Sequence, residues 1–287
     1  ILSAVGRHRF LQSHHVLKLF PGSRQHLIRR LGRLFHAGIL DRPVQQIYVR
    51  DKIGQKIAYR LTSRGLKALS EHRSYQALSL PSQKGTTIAL SLSHSLRVTD
   101  VLVAMEAAAT AQGLTFCWPK EWAGVQSAPD QRPVHLKWSI TLKTGREVLK
   151  TWQIPDGAFS LQSPDREPQY LILEVDRGTM PVIRRGLSQS SFHRKILSYK
   201  EARRQGVLWS RFQIPTFRVL VVAESRKRLA SLQQATASTF RRGESEMFLF
   251  AVASELLANQ DLLSNNWENC AESKLSNLVN KRRCEEK

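Results

Sequence analysis

The stretch Ser23-Arg24-Gln25-His26-Leu27-Ile28-Arg29-Arg30-Leu31-Gly32-Arg33-Leu34-Phe35-His36 has the periodicity of an amphipathic helix. Its apolar side chains recur at helical spacing and form one stripe, made by Leu27, Ile28, Leu31, Leu34 and Phe35. The opposite face carries Gln25, Arg29, Arg33 and His36. Arginines one helical turn apart suit the major groove of DNA, where guanidinium groups reach guanine edges and phosphates. The stretch therefore predicts a recognition helix.

The flanking sequence predicts the rest of a winged helix-turn-helix domain over residues 1–72. Two short helices are expected in residues 1–20, the second with Ser13 as its N-cap, and Gly38 is expected to end the recognition helix. Residues 47–50 and 56–61 alternate like strands around a turn, and a capped helix follows at 62–69. The alternative is a basic three-helix bundle that binds protein.

Base-edge contacts are expected from Gln25, Arg29 and Arg33. Phosphate contacts are expected from the remaining basic residues of the helix and of the wing, namely Arg24, Arg30, Lys52 and Lys56.

The charge of the chain also points to a polyanionic partner. The 287 residues carry a formal net charge of +21. Residues 1–80 contain fifteen Lys and Arg against three Asp and Glu, a net of +12, so the basic module is N-terminal.

A linker is expected over residues 73–92, an α/β domain over 93–262 and a polar tail over 263–287. The α/β domain is predicted to have a mixed sheet flanked by helices. Helices are predicted at 94–112, 182–204, 225–241 and 245–258, and strands at 114–118, 134–142, 148–154, 170–176 and 216–223. Four tryptophans of this domain are expected in its core, with base platforms as the alternative: Trp118, Trp122, Trp138 and Trp152.

Three carboxylates stand at predicted strand ends. Asp156 follows Pro155, and Glu174 and Asp176 share one face of the long strand because alternate residues point the same way. Clustered carboxylates attract a hard cation such as Mg²⁺, which could activate water for attack on a phosphate. The alternative is structural, with Arg177 or Arg184 neutralising the acids.

The order of a helix, a strand with Pro-Asp and a strand with Glu-x-x resembles the PD-(D/E)-x-K nuclease-like fold. The expected fold class is therefore α+β, a winged helix-turn-helix followed by a restriction-endonuclease-like mixed sheet flanked by helices. The resemblance implies metal ligands at Glu106, Asp156 and Glu174. Asp176 stands where the family has lysine. Lys195, one turn before Tyr199, could supply that cation, so the implied catalytic residues are Asp156, Glu174, Asp176 and Lys195.

Over residues 5–267 the chain more closely resembles the bacterial replication-relaxation family, in which the acid-x-acid pattern is the expected form. The most specific likeness is Leu173-Glu174-Val175-Asp176-Arg177-Gly178-Thr179. Further stretches that carry the likeness are Phe10–Phe20, Leu31–Leu40, Tyr59-Arg60-Leu61-Thr62-x-x-Gly65, His94-x-x-x-Val98-x-Asp100, Pro155-Asp156, Phe248-Leu249-Phe250-Ala251 and Trp267.

The resemblance implies a DNA-binding protein of plasmid or mobile-element replication or mobilisation. Its expected partners are double-stranded DNA, replication or mobilisation proteins and a second copy in a homodimer. The alternatives are a Mg²⁺-dependent DNA endonuclease that nicks, and a dimeric winged-helix transcription regulator.

A cytoplasmic location without membrane contact is expected. No apolar run approaches the roughly 20 residues of a membrane span, and three scattered cysteines make no disulfide framework. The chain opens on Ile1-Leu2 without Met, so we expect it to lack a few N-terminal residues.

Overall fold

A computed structural model describes most of the chain, in two compact units. The first unit holds Ile1–Ala107, and the second holds most of the chain from Ala108 onward. The described residues are 1–44, 46, 56–71, 88–122, 136–145, 147–240, 244–259, 261–264, 267–270, 275–276 and 278.

The first unit is helical, with a small antiparallel sheet. Its three strands have the order β1-β3-β2, with Leu11 opposite Tyr59 and Leu40 opposite Leu61. Its elements are α1 (Leu2–His8), β1 (Leu11–Gln12), α2 (Ser13–Leu19), α3 (Arg24–His36), β2 (Leu40–Asp41), β3 (Ala58–Leu61), α4 (Ser63–Ser70) and most of α5 (Ile88–Ala111).

The helix predicted over residues 23–36 is confirmed as α3, and its role as a recognition helix stays a prediction. Ser23 caps it by accepting a hydrogen bond from the His26 backbone N–H at 3.2 Å. Leu27 and Leu31 are buried in the core of the unit, whereas Ile28, which we placed on the same stripe, is 41% exposed. The buried stripe is therefore narrower than predicted.

Two boundaries in the first unit differ from the prediction. Gln12, not Ser13, is the N-cap of α2. Helix α5 begins at Ile88, inside the predicted linker, because Leu92 and Leu96 bury their side chains with Phe10 and Ala58. The predicted strand at 47–50, the turn at 51–55 and Lys52 lie outside the described residues.

The second unit is built on a seven-stranded mixed sheet of order β12-β11-β10-β9-β8-β7-β4. Its strands are β4 (Thr115–Cys117), β7 (Gly157–Ser163), β8 (Arg166–Asp176), β9 (Phe217–Ala223), β10 (Phe248–Val252), β11 (Trp267–Glu268) and β12 (Leu275–Ser276). Neighbours β8, β9 and β10 run parallel, and the other pairs run antiparallel.

A separate hairpin and four α-helices complete the described part of the second unit. The hairpin strands β5 (Trp138–Thr144) and β6 (Glu147–Gln153) pair only with each other among the described residues, although we predicted them in the mixed sheet. The helices are α6 (Phe192–Arg204), α7 (Val207–Phe212), α8 (Arg226–Thr239) and α9 (Ala253–Ala258).

Two predicted helices of the second unit are wrong in part. The helix predicted over 182–204 begins only at Phe192, where the Ser191 hydroxyl accepts from the Arg194 N–H. Within the helix predicted over 245–258, residues 248–252 form β10, because they pair with β9 in the sheet centre. Strand β7 and helix α7 were not predicted. Strands β11 and β12 lie within the predicted polar tail, which is therefore wrong in part because these residues pair with the sheet.

None of the helices in the described part of the chain has the length and apolar character needed to cross a bilayer.

Candidate nucleic-acid interface and acidic network

The face of α3 opposite the core presents basic and polar side chains to solvent. Leu27 and Leu31 anchor the helix, and this fixes which side faces outward. The exposed residues are Arg24, Gln25, His26, Arg29, Arg30, Arg33 and His36. Lys56, just before β3, is exposed as well. The predicted DNA contacts that the structure describes are therefore all accessible.

The second predicted site lies where β7 begins and β8 ends. Gly157 pairs with Leu173, so Asp156 lies beside Glu174 across the two strands. The Val175 backbone N–H donates to Asp156 Oδ2 at 2.8 Å. The register therefore sets the two acids side by side through β7, a strand that the sequence did not predict, and their shared role in a site stays a prediction.

Glu174 is 2% exposed, and both of its carboxylate oxygens accept hydrogen bonds. Oε1 accepts from the Tyr199 hydroxyl at 2.5 Å and from Gln153 Nε2 at 3.0 Å. Oε2 accepts from the Lys195 ammonium. Lys195 and Tyr199 come from one face of α6, as their spacing predicted, whereas Gln153, at the end of β6, was not predicted. We name Gln153, Glu174, Lys195 and Tyr199 the Glu174 network.

Burial and charge shift the ionisation of this network. Burial raises the pKa of Glu174 to about 7, and the charge of Asp156 adds to the shift while Lys195 opposes it. Burial disfavours the charged form of Lys195, but Glu174 and Asp156 outweigh burial and raise the pKa of that ammonium. The pKa of Tyr199 is raised by burial and by the Glu174 charge, so its hydroxyl remains a donor.

Asp176 is held by a different partner. Arg228, on α8, donates from Nε to Oδ1 at 2.8 Å and from Nη2 to Oδ2 at 2.9 Å. The Gly178 N–H donates to Oδ1 at 2.7 Å. The sequence suggested Arg177 or Arg184 as the neutralising residue, but the residue that pairs with Asp176 is 52 positions away.

Glu106, the predicted third metal ligand, lies on α5 in the first unit. His8 Nε2 lies 3.0 Å from Glu106 Oε2, and Arg7 Nη2 lies 3.8 Å from Oε1. The arrangement gives Glu106 a structural partner in its own unit, and a metal-binding role for it stays a prediction.

In the arrangement observed, cationic side chains already pair with Glu174 and Asp176, so a Mg²⁺ site at these acids stays a prediction. Hard cations take carboxylate oxygens directly, often with waters. Here Glu174 is paired with an ammonium and Asp176 with a guanidinium, so both acids form ion pairs instead. A cation at Glu174 would have to displace Lys195.

A second group of residues whose side chains can ligate metals lies in the first unit. Among the described residues, only His14, His15 and Asp100 place three ligand atoms within 4.8 Å of one another. His15 Nδ1 accepts from the Gln12 N–H at 3.1 Å, so its proton sits on Nε2 and points to Asp100 Oδ1 at 2.7 Å. A metal on Nε2 would require a proton on Nδ1, facing that N–H. The group therefore fits a hydrogen-bonded clamp between α2 and α5.

Comparison with known proteins identifies the family. The family model described as replication-relaxation matches residues 2–215, which is about three quarters of the chain. No curated protein and no solved structure matches the chain. The match spans α3, the Asp156 and Glu174 strands and Lys195. This chain therefore belongs to the replication-relaxation family.

Proposed function

We propose that this protein binds double-stranded DNA through α3 and serves replication or mobilisation of a plasmid or mobile element. The observation that carries the proposal is the basic exposed face of α3, held outward by buried Leu27 and Leu31. Family membership supports a role connected with replication.

The order of elements supports a winged helix as the DNA-binding module. The unit runs α1-β1-α2-α3-β2-β3, and the short β1 joins β3 on the side opposite β2. This arrangement packs α2 and α3 against one small sheet and leaves the second of these helices to enter the major groove. Exposed Lys56, just before β3, suits the phosphate contact expected of a wing residue.

Binding assays with short duplexes test the proposal. Arg29→Ala and Arg33→Ala are each expected to cost about 1–3 kcal/mol at the preferred site and to relax specificity there. Arg24→Ala, at the start of α3, is expected to weaken binding on every sequence and to reduce the salt dependence. Arg64→Ala, an exposed change on α4, is the charge-matched control. Equal weakening by Arg64→Ala and Arg33→Ala would contradict readout by α3.

Two measurements on the purified protein distinguish a dimeric transcription regulator from the proposed role in replication or mobilisation. A dimeric transcription regulator predicts a palindromic site whose half-sites are one or more helical turns apart. Selection of bound sequences from a random library, with sedimentation to measure oligomeric state, reads out both. A non-palindromic site bound by a monomer supports the proposed function over this alternative.

A DNA nuclease is the second candidate, favoured by one observation. Lys195 meets Glu174 beside Asp156, the juxtaposition expected of a charge-stabilising lysine. Supercoiled plasmid is incubated with Mg²⁺, Mn²⁺ or chelator, using wild type, Asp156→Ala and Glu174→Ala. Nicking that needs the metal and both acids supports the nuclease. Binding without nicking supports DNA binding alone, with the Glu174 network as a structural element.

A further inference from the structure

The outer face of the β5–β6 hairpin combines lysines with an exposed indole. Strand pairing sets Ser139 opposite Trp152, Thr141 opposite Lys150 and Lys143 opposite Val148. Alternate residues share a face, so these six side chains project to one side together with Lys137. The charged and apolar members of the set are exposed. We name Lys137, Lys143, Lys150 and Trp152 the hairpin platform.

Trp152 does not lie in the core with the three other tryptophans that the sequence predicted there. It is 55% exposed, whereas Trp118, Trp122 and Trp138 are all buried. Lys137 Nζ lies 4.4 Å from the centre of the Trp152 ring, in cation–π contact. Leaving a large aromatic ring in water forfeits its burial energy, so an exposed indole among lysines points to a ligand.

The inner face of the hairpin holds the platform in place. Trp138, Ile140 and Leu142 alternate with the platform residues of β5 and are buried in the core, where Trp138 contacts Tyr199 of α6. Gln153, the neighbour of Trp152, points inward and donates to Glu174. Because the packed inner face fixes the backbone of the hairpin, little main-chain entropy is lost when a ligand stacks on Trp152.

We infer that the hairpin platform binds single-stranded nucleic acid, with a base stacked on Trp152 and phosphates near the lysines. Stacking on aromatic rings beside a basic groove is how proteins bind unpaired strands. Paired bases in a duplex interior present no free face, so Trp152 selects unpaired ones. The three lysines favour a polyanion over an apolar protein partner. This site is separate from α3 and goes beyond the proposed duplex binding.

Fluorescence anisotropy with a labelled oligothymidylate of about twelve nucleotides, within the usual site size, tests the platform on the full chain. Trp152→Ala is expected to weaken binding roughly 5- to 150-fold, the loss of one stacked base, and Trp152→Phe to weaken it less. Trp209→Ala is the matched control, since Trp209 is 59% exposed in the same unit. Lys150→Ala should make the slope of log affinity against log salt shallower by about 0.7 for each phosphate that it ceases to neutralise.

The outcomes separate this inference from the proposed function. Arg29→Ala with Arg33→Ala should weaken duplex binding and leave oligothymidylate binding intact, and Trp152→Ala should do the reverse. Unchanged oligothymidylate binding by Trp152→Ala, or an equal loss with Trp209→Ala, would overturn the platform. The platform would also be contradicted if the wild-type protein were a dimer that Trp152→Ala converts to monomers, because a second copy of the chain would then cover this face.

Discussion

The guanidinium of Arg228 and the carboxylate of Asp176 form a two-bond ion pair, with Nε to Oδ1 at 2.8 Å and Nη2 to Oδ2 at 2.9 Å. Their side chains are 17% and 5% exposed. Arg228 also donates to the Met180 carbonyl at 2.5 Å, so one side chain ties α8 to the end of β8 and to the segment after it. The carboxylate of Asp176, at the end of β8, is thereby neutralised by a side chain of α8.

Arg228→Ala is expected to destabilise the second unit by about 3–5 kcal/mol, because it leaves a buried carboxylate unpaired. Urea unfolding followed by circular dichroism measures the loss. Arg203→Ala, an exposed change on α6, should cost under about 0.5 kcal/mol. Equal stability of the two variants would show that the pair contributes nothing.

The titration of Glu174 should make the free energy of unfolding depend on pH. Its pKa is raised from 4.5 to about 7 in the fold, so the folded state retains a proton that the unfolded state loses. The stabilisation that the retained proton gives to the fold is full below about pH 4.5, and it is lost as pH rises to about 7. Glu174→Gln, which does not titrate, should remove that fall. We would compare unfolding free energies of variant and wild type from about pH 4.5 to about pH 8, across that window, and a constant difference between them would refute this assignment.

His8 and His15, which are buried in the first unit, should give stability the opposite pH dependence, because they destabilise the fold as pH falls. Burial lowers the pKa of His8 and of His15, so both are neutral in the fold. Their contribution is full above the unfolded value of about 6.5 and is lost as pH falls below it. His15→Gln should reduce this acid sensitivity, whereas His36→Gln, on the exposed face of α3, should preserve it. Hydrogen exchange of α2 amides from about pH 5 to about pH 7.5, on both sides of the unfolded value, is the measurement.

Two helical glycines should respond oppositely to alanine. A Cβ on Gly65 would lie 2.2 Å from the Ile39 carbonyl oxygen, so α4 or that backbone must move. Gly65→Ala should destabilise the first unit by about 1–3 kcal/mol despite the better helix propensity of alanine. A Cβ on Gly32 of α3 meets nothing within 4 Å, so Gly32→Ala should stabilise by about 0.5–1 kcal/mol. Thermal unfolding of both variants is the test, and stabilisation by Gly65→Ala would contradict the close approach.

Local patterns in the sequence were sufficient for several elements. The apolar period of residues 24–36 predicted α3, and its serine cap lies within the same stretch. The continuous apolar runs near residues 170–176 and 216–223 predicted β8 and β9, because parallel strands are buried on both faces. These features depend on neighbours a few positions apart, which the sequence displays directly.

Other features depend on pairing between distant residues, and only the tertiary structure decided them. Residues 248–252 form a strand because β9 lies alongside, and Arg228 reaches Asp176 because α8 packs on the sheet. Trp138 and Trp152 looked alike in the sequence, but the hairpin register turns one into the core and the other to solvent. The sequence by itself determined the helix that we propose reads DNA. Long-range packing decided which acids are neutralised and which tryptophan of the hairpin stays exposed, since burial energy and ion pairing depend on residues that only the fold brings together.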